Sequence, residues 1–94
     1  MRLRLRAAAE RDLDGIYDYS VAQHGADAAD RYLRDLQAGM DRLTVNPELG
    51  PESGLWPALR SLGVREHRVF YRVEGQNVVV ARVLHKRMDA ERHL

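Results

Sequence analysis

The feature that most limits how this chain can fold lies near its C-terminal end. Arg68-Val69-Phe70-Tyr71-Arg72-Val73 and Val78-Val79-Val80-Ala81-Arg82-Val83-Leu84 are β-branched, alternating runs separated by the polar stretch Glu74-Gly75-Gln76-Asn77. Two such runs around a glycine-containing turn predict an antiparallel hairpin. Its second strand continues directly into His85-Lys86-Arg87-Met88-Asp89. A strand ending in that cluster places charged side chains at one rim of a sheet, where a partner can reach them.

Upstream, Leu3 and Leu5 alternate with Arg2, Arg4 and Arg6, the pattern of a short strand with one buried face. Leu13, Ile16, Tyr17, Ser20 and Val21 then fall at helical spacing between about Ala8 and His24. Glu10, Asp12 and Asp14 fall near its first turns and His24 at its end, as the helix dipole favours. The run from Glu10 to Asp18 reads as a solvated helix face. Gly25 breaks the pattern, and Asp27 is placed to cap a second helix with Asp30 three residues on. Ala29, Tyr32, Leu33, Leu36, Met40 and Leu43 form the apolar stripe of that helix. Asn46-Pro47 ends it, because a residue before proline avoids helical backbone.

Three prolines and two glycines make the segment from Asn46 to Pro57 a loop. Leu55 and Trp56 are expected to fold over the open end of the helical hairpin. Leu59 to Val64 is expected to form a further strand, interrupted by Gly63. The predicted class is α+β, with an N-terminal strand, an antiparallel two-helix hairpin and a three-stranded antiparallel meander. Residues 1–94 are expected to form one domain, with the helices packed on one sheet face.

Two helices cover only one face, so the other must be accounted for. Simple alternation assigns Val69, Tyr71, Val73, Val79, Ala81 and Val83 to the inner face. It leaves Arg2, Arg4, Arg6, Arg68, Phe70, Arg72, Val80, Arg82 and Leu84 outside. That outer set reads either as a partner-binding surface or as a solvated face whose arginine stems shield apolar atoms. A one-residue slip in register would exchange the two sets.

Net charge is +1, and the chain has no cysteine. Thiolate metal sites and disulfides are therefore excluded. Residues 1–47 carry seven Arg/Lys and eight Asp/Glu, whereas residues 48–94 carry eight and six, so the halves come to −1 and +2. All but one of the cations are arginine, which codon bias alone could produce. No phosphate loop, nucleophile elbow or metal-ligand spacing is present. His85 and His93, with Asp89 and Glu91 between them, have a spacing that occurs often by chance. Tyr71 in mid-strand reads as core, and Tyr17, Tyr19 and Tyr32 as packing residues with hydroxyls at the surface. No cofactor is expected. The opening Met1-Arg2-Leu3-Arg4-Leu5-Arg6 has neither a signal-peptide nor a membrane-span pattern, so a cytoplasmic protein is expected.

The order of these pieces resembles the RelE/ParE toxins of bacterial toxin–antitoxin pairs. The resemblance runs through Asp12-Leu13-Asp14-Gly15-Ile16-Tyr17-Asp18-Tyr19, Gly25, Tyr32-Leu33-Arg34-Asp35-Leu36 and the Asn46-Pro47-x-x-Gly50 loop. It continues through Leu59-Arg60-Ser61-Leu62, Phe70-Tyr71-Arg72-Val73 and Arg82-Val83-Leu84-His85-Lys86-Arg87-Met88-Asp89. The RelE branch cleaves mRNA on the ribosome, and its pattern would use Arg68, Arg87 and His93 here. The lysine-bearing strand of that branch is replaced by one with only Arg60 and Arg65, and arginine is a poor proton acceptor. The ParE branch instead traps the cleaved-DNA state of DNA gyrase, and the Val83-Leu84-His85-x-Arg87-x-Asp89 tail is closer to it. The resemblance therefore implies a gyrase-inhibiting toxin without catalytic residues, the ribosome-dependent endoribonuclease being the alternative.

It further implies target contacts at Arg60, Arg82, His85, Arg87 and Asp89, unless Asp89 simply pairs with Arg87 or Arg82. A ParD-like antitoxin would bind Tyr17, Tyr32 and Leu36 along the helices, and Arg68, Phe70 and Arg72 on the sheet. The pair would form a hetero-oligomer that meets DNA only through the antitoxin, with no membrane partner.

Overall fold

A computed structural model describes residues 1–94. The elements run β1 (Arg2–Leu5), α1 (Ala7–His24), α2 (Ala26–Val45), β2 (Arg60–Val64), β3 (His67–Glu74), β4 (Asn77–His85) and α3 (Ala90–His93). The four strands form one sheet in the order β1-β4-β3-β2. β2, β3 and β4 are the expected antiparallel meander, and β1 joins its far edge parallel to β4.

Gly25 separates the two long helices at φ 88, a backbone region that costs a residue with a Cβ. Gly25 itself takes the cap position of α2, with no side-chain capping bond, so Asp27 lies within the first turn instead. There its charge favours the dipole without capping. Val45 is the last helical residue, directly before Asn46-Pro47.

Both helices cover the same sheet face. Leu36, Met40 and Leu43 from α2 and Ala9 from α1 enclose Val69, Tyr71, Val78, Val80 and Val83. Leu3, Leu5, Leu13, Ile16 and Leu62 extend this core outward. Each fully buried Leu or Val contributes about 1.5–3 kcal/mol of transfer free energy. At Gly39, α2 approaches β2 so closely that a Cβ would lie 2.7 Å from Val64 Cγ2.

The alternation expected for β4 holds only at its end. Phe70 pairs with Arg82 but Tyr71 pairs with Val80, which leaves Ala81 as an extra, unpaired residue. This bulge inverts the parity of everything before it. Val78 and Val80 therefore face the helices, while Val79 lies across from Arg72 on the open side. Val73 is correctly on the inner side by register but 42% exposed at the sheet end.

Leu55 and Trp56 do not close the helical hairpin. Leu55 packs on the opposite sheet face, against Leu59, Phe70 and Leu84. Trp56 lines an outer-face groove with Arg72 and Val79. Gly63 does not interrupt β2: it pairs with Arg68 and makes room for that guanidinium, whose nearest nitrogen would be 3.3 Å from a Cβ. No helix is long and apolar enough to cross a membrane.

Candidate functional site

The largest concavity, about 1050 Å³, opens between α1, α2 and the rim where β3 begins and β4 ends. Its walls include Ile16, Tyr19, Tyr32 and Met88, and its rim carries Arg11, His24, Arg65 and Glu66. An apolar trench with charges of both signs at its border suits an amphipathic segment of another protein.

At one end of the trench three rings meet. His67 lies edge-on between Tyr32 and His85, with centroid separations of 5.4 and 5.3 Å and interplanar angles of 81° and 80°. The Tyr32 hydroxyl accepts the Glu66 N–H at 3.1 Å, and its oxygen is 2.6 Å from His67 Nδ1. The phenol oxygen both accepts from Glu66 and shares one proton with Nδ1, the donor of that bond being set by the imidazole tautomer. Burial first and the neighbouring His85 second push the His67 pKa below its ordinary value. Burial likewise raises the Tyr32 hydroxyl. Outside the rings, Glu66 meets Lys86 at 2.7 Å, and that partner lowers its carboxyl. Arg65 stands 4.6 Å over the Tyr32 ring and pairs with Asp35 at 3.1 Å. These contacts hold Arg65 at φ 52, a left-handed conformation uncommon for arginine.

After β4 the chain turns through Lys86, Arg87 and Met88. The Met88 N–H donates to the His85 carbonyl, and the Arg87 N–H donates to His85 Nδ1 at 3.1 Å. Asp89 pairs with neither Arg87 nor Arg82. Its Oδ1 accepts the Glu91 N–H at 3.2 Å and caps α3, and its other oxygen is 3.8 Å from Arg92. The Arg87 side chain has no ion-pair partner and remains available at the tip of this turn.

Arg82 is committed within the fold. Its Nε and Nη2 donate to the two Asp12 oxygens at 2.7 and 2.8 Å, and a further nitrogen donates to the His93 carbonyl. Asp12 also accepts the Val83 N–H at 2.9 Å. The reason is topological: β1 ends at Leu5, opposite Val80, so the rest of the β4 edge needs another acceptor. Asp12 is therefore no part of a solvated acidic face; its side chain is 14% exposed. Arg60 is similarly occupied, donating to the Gly50 carbonyl at 2.8 Å. Beside it the Tyr71 hydroxyl donates to the Pro47 carbonyl at 2.7 Å and accepts the Gly50 N–H at 2.9 Å, pinning the loop.

The residues expected along the antitoxin surface separate. Tyr32 reaches the trench, but Leu36 is fully buried beneath it and Phe70 is 4% exposed. Phe70 is covered because Leu55, Ala90 and Leu94 close over it, Leu59 and Leu84. Neither can be a surface contact. Tyr17 sits outside the trench, where the Asp30 charge raises its hydroxyl pKa. Arg68 donates to Ser61 Oγ at 2.9 Å, whereas Arg72 faces an open groove. Arg68, Arg87 and His93 do not share a cavity: His93 lines the groove with Arg72 and Arg82. His85 and His93 lie on opposite faces of the sheet and cannot share a ligand.

His67 escaped the sequence reading. Counting back from Glu74 opposite Asn77 places it across from Leu84; the extra residue at Ala81 moves it across from His85.

A profile of the family described as "ParE toxin of type II toxin-antitoxin system, parDE" matches residues 3–90. Toxin ParE1 of Mycobacterium tuberculosis is 41% identical over 95 residues, covering 99% of this chain and 97% of its own. Toxin ParE1 of Caulobacter vibrioides is 40% identical, covering 97% and 95%. Among solved structures, a chain of the chromosomal ParDE TA system of P. aeruginosa superposes with a TM-score of 0.80. It is 25% identical and the match covers 90% of this chain and 95% of that one.

Proposed function

From the premise that the chain belongs to the ParE toxin family of type II toxin–antitoxin systems, and so has an antitoxin for a partner, we propose that its target is DNA gyrase. In this reading it stabilises the cleaved-DNA state of gyrase and so arrests growth, acting in the cytoplasm and favouring retention of the replicon that encodes the pair. A ParD-like antitoxin occupies the helix-side trench, with Tyr32, Tyr19 and Ile16 receiving its apolar side chains. Arg87 and Met88 at the exposed turn, with His85 behind them, contact the target.

The observation that carries the reading is family membership across residues 3–90. The geometry is consistent with it, since the one unpaired basic side chain of the C-terminal turn projects from a turn fixed by two backbone–backbone bonds and a third from the Arg87 N–H to His85 Nδ1. The test is to add purified toxin to gyrase and supercoiled plasmid and to count cleaved complexes. They should rise, and Arg87→Ala should reduce the rise without altering the melting temperature. Unchanged cleavage by a toxin that halts translation would refute the proposal.

A further inference from the structure

We infer that the outer sheet face is a binding groove for a single strand of nucleic acid, with phosphates held by Arg4, Arg72 and His93 and a base stacked on Trp56. The site goes beyond the gyrase reading and does not depend on it. It revises the expectation that DNA is met only through the antitoxin.

Two adjoining hollows of about 500 and 280 Å³ form the groove, and both include Arg6 and Val79. The floor is made of the small side chains Val79 and Ala81, which the bulge turns outward. Basic groups stand along its length: Arg4 and Arg6 from β1, Arg72 from β3 and His93 from α3. The single acid lining it, Glu74, is already paired with Arg6 at 3.2 Å. Arg4 and Arg72 have no ion-pair or hydrogen-bond partner, so their donors face water.

Trp56 distinguishes the ligand. It is the only tryptophan of the chain and is 49% exposed at the groove wall. A basic channel with an accessible aromatic plate is the arrangement that binds single strands without reading sequence, since every base has a face to stack. An acidic protein segment would satisfy the arginines but leave the indole without a planar partner. The trench on the helix side, with its larger apolar walls, is the better match for such a segment. The two faces of the sheet can therefore be occupied together.

Binding is read with the full-length toxin and a fluorescein-labelled single-stranded DNA oligomer, by anisotropy and by the intrinsic fluorescence of Trp56. Stacking should quench the indole, and the two arginine–phosphate contacts should give a log–log salt slope of about −1.4, with His93 adding a hydrogen bond. Arg4→Ala and Arg72→Ala should each flatten that slope by about 0.7. Trp56→Leu should weaken binding about tenfold. Circular dichroism melting checks that each variant folds; the wild-type slope and quenching decide the matter if Arg72→Ala does not. No quenching by the oligomer would overturn the inference. So would poly-glutamate binding and quenching equally well at the same charge concentration, which would assign the face to an acidic protein.

Discussion

Asp12 shows how one side chain can join three parts of a fold that its sequence neighbourhood does not reveal. Among Glu10, Asp14 and Asp18 it looks like one more solvated acid, yet it accepts from Arg82 twice and from the Val83 amide. Arg82 in turn holds the His93 carbonyl. Asp12→Ala would leave a largely enclosed guanidinium with only the His93 carbonyl and an edge amide with no acceptor, at a cost of about 2–4 kcal/mol. Urea denaturation measures this; a loss below about 0.5 kcal/mol would mean that water replaces the carboxylate. His67 makes a second residue-scale case. Burial and His85 depress its pKa in the folded state, so the unfolded chain takes up the proton first as pH falls below about 6.5. The stability that a neutral His67 contributes is then present above that pH and lost on acidification through the folded-state pKa. Urea midpoints at pH 7 and pH 5 should differ, and less so in His67→Asn. An undiminished difference in that variant would place the dependence on other groups. Neither residue could be assigned from the sequence, because both depend on which strand edge is left open and on register.

At the scale of elements, periodicity was informative wherever one face alone is buried. The stripe Ala29-Leu36-Met40-Leu43 is wholly enclosed, and the Asn46-Pro47 stop falls where the backbone rule places it. The meander and its turn at Gly75 also follow from the alternation. β4 is the exception: Val78-Val79-Val80 offers apolar side chains to both faces, so composition could not signal the bulge at Ala81. The same ambiguity hid α3. Its four residues have no helical stripe, and it is held by the Asp89 cap, by Arg82 and by burial of Ala90 and Leu94 over Phe70, Leu59 and Leu84. Deleting residues 90–94 should therefore expose that cluster, bind an apolar dye and lower stability by about 1–2 kcal/mol. Asp89→Ala should reproduce part of the loss, about 0.5–1 kcal/mol. A truncated chain with wild-type stability and no dye binding would show that the loop containing Leu55 suffices as a cover.

On the scale of the whole molecule, a thin core and two unlike sheet faces make stability and recognition one problem. Thirteen hydrophobic residues are buried in a chain of 94. Domains of this size bury a modest fraction of their surface and sit near the limit of independent stability. An antitoxin that binds only the folded toxin adds RT ln(1 + [L]/Kd), about 2.7 kcal/mol at a hundredfold excess over Kd. For a chain of this length that shifts the melting temperature by roughly 10–20 °C. The shift should grow with the logarithm of free antitoxin, and scanning calorimetry of the complex at several concentrations measures it. Its dependence on single exposed residues identifies the occupied face. Tyr19 is 67% exposed in the helix-side trench, while Arg72 lies across the sheet in the outer groove. Tyr19→Ala should leave the free toxin's melting temperature unchanged yet shrink the antitoxin-induced shift. Arg72→Ala should leave the shift intact. The reverse pattern would place the antitoxin on the arginine face and leave the trench to the target, because one segment cannot lie on both sides of a sheet without crossing an edge. β1 holds one edge and the Glu52–Arg60 bridge shields part of the other, so a partner must choose a side.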